Sequence, residues 1–121
     1  MFFEKRKYPR ISFTLPIKIS DSDFDIVTET RNISGNGAYC AIDKEIAPMT
    51  KLKIIILVPL RKNNRKLLKK VNCKGVVVRN EYIKDNGKHA YTIGIYFNEI
   101  KETDRKIILS YINSFRPSTV S

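Results

Sequence analysis

The chain is poor in the residues from which small proteins usually build catalytic or metal centres: it has one histidine and two cysteines in 121 residues. His89 sits in a polar stretch with no recognisable catalytic partner, which argues against histidine-based acid–base or nucleophilic chemistry. Cys40 and Cys73 have neither a CxxC spacing nor a histidine-rich setting, so they make neither a zinc site nor a disulfide framework. They read as buried or semi-buried free thiols on strands that could be neighbours, and no metal is expected. Long apolar runs are missing too. Nothing approaches membrane-spanning length, and Phe2 and Phe3 are followed at once by charges instead of a secretory apolar region. The chain therefore reads as cytoplasmic, without stable membrane insertion. Repeats and low-complexity segments do not occur.

What is present is enough apolar material for one core. Hydrophobic residues make up 42% of the chain and aromatics 10%, sufficient to offset the entropy of ordering most of it. The length is too short for two ordinary domains. Twenty-three Lys and Arg against 12 Asp and Glu give a formal net charge of +11, and it is unevenly placed: residues 1–10 contribute +3 and residues 61–70 contribute +6 with no acid, leaving +2 for the rest. Such a localised field suits anionic partners at one or two places, with phosphate the obvious chemistry, better than a uniformly basic surface wrapped in DNA.

Most of the chain has the period of a strand. Phe13, Leu15, Ile17 and Ile19 alternate with polar residues, and Pro16, lacking an amide hydrogen, places that strand at an edge or a bulge. "DSDFD" (21–25) is a turn, an extended run follows through Asn32, and "SGNG" (34–37) stops it. Ala38–Ile42 is a short strand. Leu52, Ile54, Ile56 and Val58 form the clearest strand, which Pro59 is expected to end. Val71–Arg79 and Tyr91–Phe97 are two more β-rich runs, with Asn86-Gly87 favouring a hairpin turn between them. Only the tail changes period. Ile107, Ile108, Tyr111, Ile112 and Phe115 mark an amphipathic helix from about Thr103 to Phe115, capped by Thr103 or Asp104. Five or six antiparallel strands and one helix bury both patterns most economically as a small β-barrel with the helix against an opening or a side.

Two stretches carry binding chemistry. In "RKYPR", Arg6 and Arg10 present planar forks suited to phosphate oxygens and to the O6/N7 edge of guanine. Pro9 disfavours a helical Tyr8; fully extended, the two Cα atoms stand about 13 Å apart, a span suited to opposite ends of a sizeable ligand. In "NISGNG", Asn32 and Ser34 point the same way if the strand stays extended, and Gly35 and Gly37 keep side-chain bulk away from a flat ligand. Asn32 and Ser34 each supply donors and acceptors, which is what the edge of guanine requires. The plainer reading of the same stretch is a polar turn whose Asn and Ser bond their own backbone.

Together the stretches closely resemble the two signatures of the PilZ domain family: RxxxR, here Arg6 to Arg10, and [D/N]xSxxG, here Asn32 to Gly37. The resemblance continues through "GVVVRN" (75–80), "YTIGIYFNEI" (91–100) and the terminal helix. It implies an all-β fold, a six-stranded antiparallel PilZ-type β-barrel with a C-terminal α-helix, that binds cyclic di-GMP, a bacterial second messenger, and responds by changing conformation or partner affinity. Such a protein is a receptor and not an enzyme. By the same resemblance Arg6 and Arg10 grip guanine edges and phosphates, Asn32 and Ser34 bond a guanine, Gly37 keeps the turn close, and Lys5, just before the arginine motif, adds a phosphate contact. The departure is Asn32 where many members carry Asp, which makes the bond to guanine less charge-assisted.

The organisation expected is a flexible N-terminal arginine-motif segment over 1–10, mobile without ligand and ordered with it, the barrel domain with its helix over 11–116, and a tail over 117–121. Cyclic di-GMP is the expected ligand and an unidentified effector protein the expected partner; nucleic acid is not. Two other readings stand beside this one. A small barrel binding single-stranded nucleic acid would need exposed aromatics, such as Tyr39, Tyr91 and Tyr96, along a continuous basic groove. A ligand-independent protein-interaction adaptor would keep the fold and drop the nucleotide. The "RKNNRKLLKK" segment (61–70) matches neither signature and reads as an exposed, mobile connection, with Leu67 and Leu68 open to burial by a short helical turn.

Overall fold

The computed structural model describes residues 13–83 and 91–115. Lys5, Arg6, Arg10, the Asn86-Gly87 turn, His89 and the 117–121 tail lie outside the described residues. Six strands, β1 (Pro16–Ser20), β2 (Asp25–Ile33), β3 (Gly37–Ile42), β4 (Lys51–Lys62), β5 (Arg65–Tyr82) and β6 (Tyr91–Glu99), precede one helix, α1 (Glu102–Asn113). Every pairing is antiparallel, and the order β1-β2-β3-β6-β5-β4 returns from β4 to β1 as a closed barrel.

Alternation decides which side chains fill it. Ile17 and Ile19 of β1 and Leu52, Ile54, Ile56 and Val58 of β4 all point inward and are nearly inaccessible, as are Val71 and Val77 of β5 and Ile93, Ile95 and Phe97 of β6. Each such aliphatic side chain contributes about 1.5–3 kcal/mol of transfer free energy. Among the described residues the one buried polar side chain, Thr30, is fully satisfied: its hydroxyl accepts from Leu15 N at 2.9 Å and donates to Phe13 O at 2.6 Å. That pair fastens the stretch before β1 to β2. The turn at 21–24 is closed by Asp21, whose Oδ1 accepts from the amides of Asp23 (2.7 Å) and Phe24 (3.2 Å).

Four local expectations are corrected. Pro16 lies on no edge, because ring closure gives β1 neighbours on both sides; it is tolerated as the first residue of the strand, before the β4 ladder begins at Ile17↔Ile56. Pro59 does not end β4. The strand continues to Lys62, with Pro59 opposite Leu68, and beyond Ile56 one side of β4 has no β1 partner, so the missing amide hydrogen costs no ladder bond there. The 61–70 segment is consequently no loose connection but the end of a β-hairpin, turned by Asn63 (φ 52°) and Asn64 (φ 62°), the two positive-φ positions a type I′ turn requires. Leu67 and Leu68 stay in β5, with Leu68 66% exposed. The helix starts at Glu102 after an N-cap at Lys101 that has no side-chain cap, so Thr103 and Asp104 lie inside its first turn, where Glu102 and Asp104 complement the helix dipole.

The helix lays Ile108 and, less completely, Ile107, Tyr111 and Ile112 on the core and packs against β4 and β5. Cys40 and Cys73 are buried free thiols, on β3 and β5, two strands separated by β6. Burial pushes both thiols up to about 12, the Asp104 carboxylate adding to the effect at Cys73. Both are protonated and inert at neutral pH.

Candidate functional site

The [D/N]xSxxG stretch occupies the end of β2 and the bend into β3. Its placement depends on an irregularity. Thr30 pairs with Cys40, facing inward, but Asn32 pairs with Tyr39 and Ile33 with Ala38, so the register shifts across Arg31. The extra residue is a β-bulge, and it reverses the alternation: Ile33 enters the core and Asn32 turns to the outer face beside Tyr39. A second shift, between Val77 and Arg79 on β5, leaves Val78 outward and 56% exposed. The two bulges flank one concavity across β2, β3, β6 and β5. Asn32, Ser34, Gly37, Tyr39, Val78 and Tyr96 line it, and its volume is about 270 Å³.

Tyr39 and Tyr96 present their rings to solvent there, 42% and 52% exposed, while Tyr91 packs against the core and edge-on to Tyr82 at 5.5 Å. Tyr39 lies across Gly94, where an added Cβ would come within 3.0 Å of its ring. Gly37 is required by a closer approach still: a Cβ there would collide with the carbonyl oxygen of Ile95 on β6. Neither Gly35 nor Gly37 adopts the left-handed conformation, so what these positions demand is space and not an unusual φ.

The polar groups are held by the backbone. Asn32 Oδ1 accepts from Ile33 N (3.0 Å), and Ser34 Oγ accepts from Asn36 N (3.1 Å). The bend is closed by Ser34 N donating to Gly37 O (2.8 Å) and tied to β6 by Phe97 N donating to Asn36 O (2.8 Å). The local-turn reading of this stretch is therefore correct as geometry. It leaves each acceptor oxygen a further lone pair, so local bonding and ligand bonding are compatible.

One residue that the sequence pattern does not mark organises this bend. Arg105, on the first half of α1, donates from Nη1 to Gly35 O and to Asn36 Oδ1, both at 2.8 Å, while its Nε lies 3.4 Å from Glu102 Oε1. Leu109, one turn on, packs against Gly35. The helix thus clamps the bend from behind. Arg105 flanks the apolar stripe as any solvated helix cation would, and its partner lies 70 residues away, so no local signal exists for it.

Larger hollows occur elsewhere. One of about 650 Å³ is edged by Lys18, Lys53, Lys74 and Lys101, but Lys18 and Lys74 already meet Asp25 (3.8 Å) and Glu99 (3.6 Å). Among the described residues, no group of three His, Cys, Asp or Glu is placed to hold a metal ion, and no helix is long and apolar enough to cross a membrane.

A barrel with this strand order, this bend and a clamping terminal helix has a clear counterpart among known proteins. The PilZ domain matches residues 4–114, and the chain belongs to the PilZ family, a class of non-enzymatic cyclic di-GMP receptors and adaptors. The solved structure of Bacillus subtilis inhibitor of motility (MotI/DgrA) is similar, with a TM-score of 0.70 at 21% sequence identity over 93% of this chain and 51% of that one. This chain thus spans about half the length of that protein, and at such identity the likeness is one of fold. No curated protein matches the chain.

Proposed function

We propose that the protein binds cyclic di-GMP on the β2-β3-β6-β5 face and passes the signal on through a change in conformation or in affinity for an effector protein. The observation that carries this reading is the concavity in which Asn32, Ser34 and Gly37 meet the exposed rings of Tyr39 and Tyr96. Its volume falls below the roughly 300–1,000 Å³ of pockets that enclose a drug-sized ligand. It accommodates one guanine and leaves the rest of the dinucleotide to other groups. In this reading those groups are Arg6 and Arg10, with Lys5 on a phosphate, while Asn32 and Ser34 bond the base edge and a tyrosine ring offers a stacking face.

The single-stranded nucleic-acid reading is less well supported. The exposed rings Tyr39 and Tyr96 line a concavity with no Lys or Arg among its described lining residues, and the densest cations sit on the β4–β5 hairpin instead. Calorimetric titration with cyclic di-GMP, GTP and a short single-stranded RNA tests the proposal. Saturable binding of cyclic di-GMP with weaker binding of the others is expected; equal binding of GTP or RNA would overturn it.

A further inference from the structure

We propose that the end of the β4–β5 hairpin and the C-terminal half of α1 form a docking groove for an acidic segment of a partner protein that also carries aliphatic side chains. The groove has a volume of about 750 Å³. Leu60 and Leu67 of the hairpin and Tyr111 and Phe115 of the helix line it, together with the cations Arg61, Lys62, Lys66 and Lys69.

Charge identifies the occupant. The hairpin pairs Arg61 directly with Lys66 and Lys62 directly with Arg65, and like charges directly opposite on neighbouring strands repel. Lys69 and Lys70 follow on β5, opposite Val58 and Leu57, and residues 61–70 contain no acid. The free protein thus holds a repulsive cluster in register by means of the Asn63-Asn64 turn, and carboxylates on a partner would relieve it.

The apolar lining selects a protein segment over other polyanions. Tyr111 packs edge-on against Phe115 (5.1 Å, 73°) and against Phe13 (5.7 Å), and Phe115 lies tilted against Phe13 (5.6 Å, 55°). Such a cluster offers no parallel platform for stacking bases, whereas it suits aliphatic side chains beside Leu60 and Leu67. A lipid surface fits no better. By the two-residue period of the strands, Lys62, Arg65 and Lys69 share the face of Leu60 and Leu67, while Arg61, Lys66 and Lys70 share the other, so a flat bilayer neutralises only one set. An inserted segment can lie within the groove and reach round its rim. Docking here does not require the nucleotide site to be occupied.

The test is selection from a random twelve-residue peptide library against the full chain, followed by anisotropy titration of the enriched peptides. Oligo-dT and phosphatidylserine vesicles are titrated in parallel. Enriched peptides are expected to interleave Asp or Glu with aliphatic residues, and to bind at least tenfold more weakly to the Arg61→Gln/Lys62→Gln/Arg65→Gln/Lys66→Gln variant. That variant should melt at the same or a higher temperature than the parent, because repulsion has been removed. Leu67→Asn, which leaves every charge in place, should also weaken the peptides. Failure to enrich acidic peptides, or peptides indifferent to both variants, overturns the proposal. Tighter binding of oligo-dT or vesicles, lost in the charge variant, overturns it in favour of nucleic acid or lipid.

Discussion

Asn32 reaches the outer face only because Arg31 is an extra residue in β2. If the side chain reads a guanine, Asn32→Ala should lower cyclic di-GMP affinity about tenfold, the equivalent of ~1.4 kcal/mol, while Asn32→Asp should retain or strengthen it, since a carboxylate accepts two guanine donors. Calorimetry on the two variants decides: an alanine variant that binds like the parent makes Asn32 a turn residue only. Gly37→Ala belongs to stability, because its methyl meets the backbone carbonyl of Ile95; a loss of roughly 1–3 kcal/mol is expected from the overpacking and is read from urea unfolding. Asn32, Ser34 and Gly37 were legible as a group because donors, acceptors and small residues stand close together in the chain. Which of Tyr39, Tyr91 and Tyr96 face solvent was not, because a period-2 reading assigns a strand aromatic to core or surface only when the bulges on the neighbouring strands are known.

At the scale of elements, the helix and the hairpin differ in how far they could be read. The apolar stripe of α1 announces a helix, but its start at Glu102 carries no sequence signal because the cap at Lys101 uses no side chain. The contact from Arg105 to the bend has no local signature at all. Arg105→Gln removes charge from two hydrogen bonds to Gly35 O and Asn36 Oδ1, each worth about 1.5–3 kcal/mol when charged. Faster amide exchange at Asn36 and Gly37 and a several-fold weaker cyclic di-GMP complex are expected, and unchanged exchange would show that the bend holds itself. The hairpin is hidden from a sequence reading because Pro59 and a run of like charges both argue against strand. A free side of β4 removes the first objection, and the Asn63-Asn64 turn imposes pairing in spite of the second. Exchanging all six cations of 61–70 for Gln should leave cyclic di-GMP affinity within tenfold at ~0.15 M salt, where exposed charges more than about 8 Å apart are largely screened. A larger loss by calorimetry would join the hairpin to the nucleotide site.

For the whole molecule, five or six antiparallel strands follow from turn residues and alternation, six from the family resemblance, and a barrel from the economy of burial in so short a chain, but which strands close the ring does not, since nothing local tells that β1 and β4 are neighbours. Closure sets how the thiols titrate. Cys40 and Cys73 ionise near 9 when unfolded and only near 12 in the barrel, so between those values the unfolded chain has released protons that the folded one retains. Their contribution is fully present below pH 9 and is lost as pH rises towards 12, at up to about 1.4 kcal/mol per pH unit for each thiol. Urea unfolding from pH 8 to 11 should show this decline, and Cys40→Ala should make it shallower; an identical slope in the variant would exclude the thiol as a source. The central claim, a cyclic di-GMP site at the Asn32 concavity, is tested most directly by amide chemical-shift mapping of the labelled chain during titration with the dinucleotide. The account predicts saturable shifts centred on Asn32, Ser34, Gly37, Tyr39 and Tyr96, with Arg61 to Lys70 little changed. Shifts absent from that face, or concentrated on the hairpin, would contradict it.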